Sequence, residues 1–321
     1  MRRLFFATFL LAQALTAQQR ASEQAFEMKA EDPGFWRLFD RGTKLNTMGE
    51  SFGFTEGAVW EPTGSLLLSD ESKNWIYRLF PDGRRDELIQ LGDPDGNTFD
   101  REHRLIVTAS VLRAIIRLSP DMKTYDVLAD RYNGQRLNSP NDVTLGPDGA
   151  IYFTDPTLDL VKGEKQEIPF QGVYRLDAKG NVSLLTKDLR QPNGLAFSPD
   201  GKFLYIDDSA QKNIRRYRFH NAVLTDGMIF ADENVPDKRG VPDGMKTDKQ
   251  GNLYVTGPGG VWVWSPAGKH LGTVFLPHQP ANLSWGDPKN STLFLTAGHF
   301  VYTLKTKTKG HLSYPAKAVR P

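Results

Sequence analysis

A pattern that recurs about every 40 to 50 residues limits the fold of this chain more than any other feature. Its clearest copy, residues 139–155, consists of a polar loop, a short strand, a tight Pro-Asp-Gly turn and a second strand. The other copies, some of them weaker, are residues 55–68, 96–107, 191–206, 241–255 and 281–295. Such a unit needs its neighbours to bury its apolar face, so the sequence predicts a repeat architecture.

Each unit contains four strand candidates. In the third unit these are residues 143–145, 151–154, 172–176 and 182–185. Four-stranded units repeated around an axis form a β-propeller, which protects most of the sheet edges. The even spacing favours this arrangement over a sandwich. We therefore predict an all-β fold, a six-bladed β-propeller of four-stranded blades.

The closure of the ring is predicted from a strand that lacks a partner. The sixth unit has no convincing fourth strand, because residues 313–321 are rich in Pro and Lys. Residues 44–48 have strand character and no partner nearby. We expect this N-terminal strand to complete the last blade.

The N-terminus has the features of an export signal. Arg2 and Arg3 precede a short apolar stretch, residues 4–11, and small residues follow up to Ala17. The predicted organisation is a signal peptide at 1–17, an N-terminal strap at 18–43, the propeller at 44–312 and a C-terminal tail at 313–321. We expect a periplasmic or secreted protein without a membrane span in its mature form, since the apolar stretch is too short to cross a bilayer.

Composition excludes several classes of function. The net charge is +2 and there is no long basic run, so nucleic-acid binding has no support. The chain has no cysteine, which rules out disulfides, zinc thiolates and a cysteine nucleophile. Gly49–Gly53 matches G-x-S-x-G, but a strand follows it rather than the helix that a serine nucleophile elbow requires.

One oxygen-bearing residue in each repeat is expected at the mouth of the channel, where the innermost strand begins. Aligning the repeats gives Glu56, Asn97, Asn141, Asn193, Asp243 and Asn282. Carboxylates and amide oxygens are hard ligands that favour Ca²⁺, with Mg²⁺, Mn²⁺ or Zn²⁺ as alternatives. The competing interpretation is that each residue only caps its own turn.

The segments around Glu56, Asn141, Asn193 and Asp243 together resemble the signature segments of the gluconolactonase family, which includes regucalcin. The resemblance extends over nearly all of the predicted mature chain. It implies a six-bladed propeller with one divalent cation in the channel. It also implies a small-molecule substrate, a sugar lactone, which is hydrolysed to the aldonic acid.

The resemblance also implies roles for individual residues. Glu56, Asn193 and Asp243 match the metal ligands, and Asp243 matches the proposed general base. Asn141 matches a residue that contacts substrate or completes the metal shell. Arg136 and Asn138 precede it and are candidates for binding substrate hydroxyls. A metal-bound hydroxide is an alternative to Asp243 as the base.

One departure from the family pattern leaves the substrate open. Several bacterial members of the family carry an acidic residue and a histidine where this chain has Thr108-Ala109-Ser110. A related propeller hydrolase acting on another lactone or ester, of the strictosidine-synthase or aryl-lactonase type, is one alternative. A non-enzymatic exported binding propeller is the other.

Overall fold

Strands account for nearly all of the secondary structure in the computed structural model, which describes residues 25–236 and 238–315. They form six antiparallel sheets that follow one another along the chain. The innermost strand of each sheet contacts the innermost strand of the next, and the sixth returns to the first. The predicted six-bladed propeller is therefore confirmed.

In each blade the strands are given in order from the innermost, which lines the channel, to the outermost. Blade 1 contains β3 (Thr55–Glu61), β4 (Ser65–Asp70), β5 (Trp75–Leu79) and β6 (Arg85–Gln90). Blade 2 contains β7 (Pro94–Phe99), β8 (Leu105–Ala109), β9 (Ala114–Leu118) and β10 (Tyr125–Ala129). Blade 3 contains β13 (Val143–Leu145), β14 (Ile151–Asp155), β15 (Gly172–Leu176) and β16 (Val182–Thr186).

The second half of the ring repeats this order. Blade 4 contains β17 (Pro192–Phe197), β18 (Phe203–Asp208), β19 (Asn213–His220) and β20 (Val223–Asp232). Blade 5 contains β21 (Met245–Thr247), β22 (Leu253–Gly257), β23 (Gly260–Trp264) and β24 (His270–Phe275). Blade 6 contains β25 (Asn282–Gly286), β26 (Thr292–Ala297) and β27 (Phe300–Lys305). A small hairpin, β11 (Arg131–Tyr132) and β12 (Gln135–Arg136), joins blades 2 and 3.

The N-terminal part of the described chain closes the ring and covers one blade edge. β2 (Leu45–Gly49) pairs with β27 as the fourth strand of blade 6, which confirms the predicted closure one residue from the predicted bounds. β1 (Glu27–Ala30) adds a fifth strand to blade 5. The short helix α1 (Phe35–Leu38) buries Phe35 and Leu38 in the apolar cluster shared by blades 5 and 6.

The predicted signal peptide at 1–17 lies outside the described residues, and the predicted domain boundaries stay predictions. Within residues 25–236 and 238–315, no helix combines the length and the apolar character needed to span a membrane.

The two ends of the channel differ in what borders them. The innermost strands begin at one end, which we call the mouth. At the opposite end the Tyr314 hydroxyl donates to the Trp60 carbonyl (2.8 Å), and the His311 N–H donates to the Thr247 carbonyl (3.0 Å). Residues 311–314 thereby pack across this far end of the channel, where they line a cavity of about 30 Å³.

Candidate metal centre at the mouth of the channel

Equivalent backbone hydrogen bonds identify the residue of each blade that lies at the mouth. The N–H groups of Asn141 and Asp243 donate to Thr154 and Thr256, and Ala281 donates in the same way to Thr296. In blades 1, 2 and 4, the pairing of the first two strands places Glu56, Asp95 and Asn193 at this position. The ring residues, one from each blade, are therefore Glu56, Asp95, Asn141, Asn193, Asp243 and Ala281.

Two members of the sequence-derived ring were wrong. Asn97 lies two residues further along β7, and its Nδ2 donates to the Gly57 carbonyl (2.7 Å) and to Ser69 Oγ (2.8 Å), between blades 1 and 2. Asn282 lies one residue past the ring position. The comparison of repeats aligned Gly96-Asn97 instead of Asp95-Gly96 with Glu56-Gly57, and in blade 6 it selected the polar Asn282 instead of the preceding Ala281.

A glycine follows the ring residue in four blades because adjacent innermost strands approach very closely there. A Cβ on Gly194 would lie 2.1 Å from the Asp243 carbonyl oxygen, and one on Gly57 would lie 1.9 Å from that of Asp95. Only glycine permits such an approach. In blades 3 and 6 the equivalent residues are Asp142 and Asn282, whose side chains add polar groups to the channel.

Glu56 is the most constrained of the predicted ligands. Its side chain is buried, and Oε2 accepts hydrogen bonds from the Gly57 N–H (2.9 Å) and from Asn282 Nδ2 (3.0 Å). Burial raises the pKa of Glu56 to about 7, with a further rise from the charge of Asp142. Two donors therefore hold the carboxyl in place through Oε2, and neither of them contacts Oε1.

Asn193 lies in β17, and Asp243 lies two residues before β21, at the equivalent position of the neighbouring blade. Burial raises the pKa of Asp243 well above its ordinary value, and among charged groups Glu56 contributes most to this rise. Asn282 of blade 6 lies between the two acids, because its Nδ2 donates to Glu56 Oε2 and a Cβ on Gly244 would lie 2.3 Å from its side chain. Asn193 is buried at the equivalent position of blade 4.

Two further acids join the cluster and were missed in the sequence. Glu56, Glu71 and Asp95 present carboxylate oxygens within 4.8 Å of one another. Burial and the charges of Glu56 and Asp159 raise the pKa of Glu71 to about 10, and burial raises that of Asp95 well above its ordinary value. Asp95-Gly96 repeats the pattern of Glu56-Gly57, which was the available signal. Glu71 directly follows β4, at a position that the comparison of repeats did not include.

The predicted substrate-binding residues differ in their surroundings. Asn141 Nδ2 donates to Asp95 Oδ2, and its amide offsets part of the rise that burial causes in the pKa of Asp159, in the long loop that follows β14. Arg136 is half-buried, and its guanidinium donates to the Leu112 carbonyl (3.4 Å). Asn138 is fully buried, and its amide N–H₂ donates to the Asp155 and Phe170 carbonyls. Its donors are therefore used to support the loop.

The donor set fits a hard divalent cation. Several buried carboxyls converge at the mouth, and burial alone would make their joint ionisation costly. Glu56, Asn193 and Asp243 would hold the ion through carboxylate and amide oxygens, with Glu71 and Asp95 beside them. The described ring contains no sulfur or imidazole, the softer ligands that zinc usually takes.

The Glu56 carboxyl predicts a pH dependence that can be measured on the metal-free protein. Its pKa is raised from 4.5 to about 7, so the folded state retains a proton that the unfolded state has lost. The corresponding stability is complete below pH about 4 and is lost as the pH rises through about 7. A cation binds the ionised carboxylate, so its affinity rises over the same range. We expect Ca²⁺ to raise Tm more at pH 8 than at pH 5 in thermal melts, and an equal rise at both would contradict this.

Asp207 is an exception in a row of hydroxyls that join neighbouring blades. Ser69, Thr108 and Thr256 occupy this position in blades 1, 2 and 5, and each donates to the carbonyl of the next ring residue. Asp207 occupies it in blade 4, is fully buried, and its Oδ2 has no hydrogen-bond partner. Burial raises the pKa of Asp207 well above its ordinary value.

We expect Asp207→Thr to stabilise the protein at pH 8. Threonine supplies the hydroxyl that the other blades use and removes a buried carboxyl, which is worth roughly 1–3 kcal/mol. Because the pKa of Asp207 is raised, its unfavourable effect grows as the pH rises, so the gain should be smaller at pH 5. Urea unfolding at both pH values tests this. A less stable variant at pH 8 would show that Asp207 makes a favourable interaction as a carboxylate.

Comparison with known proteins agrees with this geometry. Residues 54–299 match the family described as the SMP-30/Gluconolactonase/LRE-like region. The chain belongs to this family. It is 34% identical over 303 residues to a gluconolactonase from Zymomonas mobilis, and the match covers 85% of this chain and 84% of the relative.

Two solved structures of the family share the fold. A gluconolactonase from Xanthomonas campestris is 31% identical, with a TM-score of 0.82 over 89% of this chain and 96% of the other. A regucalcin from Agrobacterium tumefaciens, described as a calcium-binding protein, is 17% identical, with a TM-score of 0.71 over 91% and 98% of the two chains. The second similarity concerns the fold alone.

Proposed function

We propose that this protein is a metal-dependent lactonase that opens a sugar lactone to the aldonic acid. The observation that carries the proposal is the ring of oxygen-bearing side chains at the mouth, where carboxylate oxygens of Glu56, Glu71 and Asp95 lie within 4.8 Å of one another, in a chain similar to gluconolactonases along most of its length. The proposed ion is one divalent cation, with Ca²⁺ preferred because the ligands are carboxylate and amide oxygens.

The bound cation would polarise the lactone carbonyl and stabilise the charge that develops on its oxygen. Asp243 would accept the proton of the attacking water from its position in the ring beside the cation. Asn141 would orient the lactone from blade 3, beside Asp95. Arg136 is proposed to contact substrate hydroxyls from the rim of the mouth.

We also propose that the protein acts outside the cytoplasm. The support is the N-terminal sequence, in which two arginines precede a short apolar stretch and small residues. The absence of cysteine is compatible with an oxidising compartment, because no thiol is exposed to unwanted pairing. Detection of the mature N-terminus near residue 18 by mass spectrometry of the exported protein would test this.

A pH-stat assay of proton release tests the activity. Sugar lactones of five and six carbons, an alkyl δ-lactone and an aryl lactone are supplied at equal concentration, with Ca²⁺ and corrected for spontaneous hydrolysis. We expect the highest kcat/KM with a sugar lactone. Faster turnover of the alkyl or aryl lactone would favour the related hydrolases. No turnover of any member would favour a binding propeller.

A further inference from the structure

Lys246 is the one basic residue among the described innermost strands of the six blades. It is half-buried in β21, three residues after Asp243 along the chain. It also lines the cavity at the far end of the channel, together with Thr144 and Ser284. Lys246 therefore places a positive charge inside the channel, beneath the acids of the mouth.

Hydrogen bonds connect this lysine to Glu56 through Asn282. Lys246 Nζ lies 3.5 Å from Asn282 Oδ1, which also accepts from the Leu283 N–H (2.9 Å). Because a lysine ammonium only donates, these contacts fix Oδ1 of the amide on this side. The amide N–H₂ therefore faces Glu56 and donates to its Oε2 (3.0 Å).

The charge of Lys246 acts on two buried carboxyls. It lowers the pKa of Glu56, and it is the largest influence opposing the effect of burial on the pKa of Asp142. Asp142 and Asn282 occupy the same repeat position in blades 3 and 6, on opposite sides of a six-bladed ring. The lysine thus lies between acids contributed by different blades.

We propose that Lys246 is a resident counter-cation that lowers the affinity of the mouth for its divalent ion. Without the ion, the ammonium offsets part of the negative charge of Glu56 and Asp142 and keeps Glu56 in position through Asn282. With the ion bound, the two cations repel each other. This inference rests on the metal site of the proposed function.

Calcium titration of the metal-free protein by calorimetry tests the inference without any substrate. We expect Lys246→Met to lower the Kd for Ca²⁺ by about tenfold, because a like charge beside the ion is removed. Lys246→Gln, which keeps a hydrogen-bond donor but no charge, should bind Ca²⁺ as tightly as Lys246→Met does. Lys246→Arg should bind like the wild type. Thr144→Val, a nearly isosteric change in the same cavity, is the matched control and should leave the Kd unchanged.

Thermal melts of the same variants provide an independent measurement. The metal-free Met and Gln variants should have a lower Tm than the wild type, and saturating Ca²⁺ should raise their Tm by more. If the uncharged variants bind Ca²⁺ with the wild-type Kd, or more weakly, the counter-cation role is wrong. If the wild type itself binds no divalent ion, the proposed metal site fails instead, so the two failures are distinguishable.

Discussion

Asp243→Asn is expected to lower kcat/KM for the hydrolysed lactone by about a thousandfold or more. A general base contributes roughly 10²–10⁴ in rate, and the same carboxylate would also hold the cation. Asparagine has nearly the same volume and retains one oxygen, so the fold should persist. The measurement is proton release with and without saturating Ca²⁺, together with the Tm of the variant.

The control for this variant is Asp226→Asn, the same chemical change on the exposed outer strand of blade 4. It should leave kcat/KM unchanged. If Asp243→Asn binds Ca²⁺ and retains full activity, Asp243 is neither the base nor an essential ligand. If Ca²⁺ at high concentration restores only part of the activity, the remaining loss measures the contribution of the base.

Removal of divalent ions is expected to reduce lactone hydrolysis to below about 1% of the full rate, since the cation would stabilise the developing oxyanion. It should also lower Tm. A cation present at 100 times its Kd stabilises the folded state by about 2.7 kcal/mol, which corresponds to about 4–5 °C for a domain of this size.

Dialysis against a chelator, followed by addition of one metal at a time, identifies the ion. Ca²⁺ is expected to restore both activity and Tm at the lowest concentration, with Mg²⁺, Mn²⁺ and Zn²⁺ as the comparisons. Full activity after exhaustive chelation would exclude a metal-dependent reaction. Restoration of Tm without activity would indicate a structural ion only.

The fold was predictable because local signals agree in every repeat. A tight turn ends each innermost strand, as at Ser198–Gly201, where Gly201 has a positive φ. The Pro, Asp and Gly residues of such turns are recognisable in the sequence. The strand near residue 45 was recognisable because it had no partner nearby in the sequence, while blade 6 lacked a fourth strand. Local turn chemistry and strand periodicity, rather than long-range contacts, determine these features.

The site was only partly predictable from the sequence. Glu56, Asn141, Asn193 and Asp243 follow a common motif, and the structure places all four at the same position of their blades. Asp95 was missed because Asn97 was aligned with the ring residues in its place, and the glycine that follows Asp95 was the overlooked signal. Glu71 and Lys246 lie outside the compared position, so only the three-dimensional arrangement brings them to Glu56.

The most direct test is a crystal structure of the protein grown with Ca²⁺, with Mn²⁺ used in parallel for its anomalous signal. The account predicts one ion at the mouth, bound at about 2.3–2.6 Å for Ca²⁺ by oxygens of Glu56, Asn193 and Asp243. An ion held by Glu71 and Asp95 without Asp243, or an empty mouth in crystals of protein that hydrolyses the lactone, would contradict it.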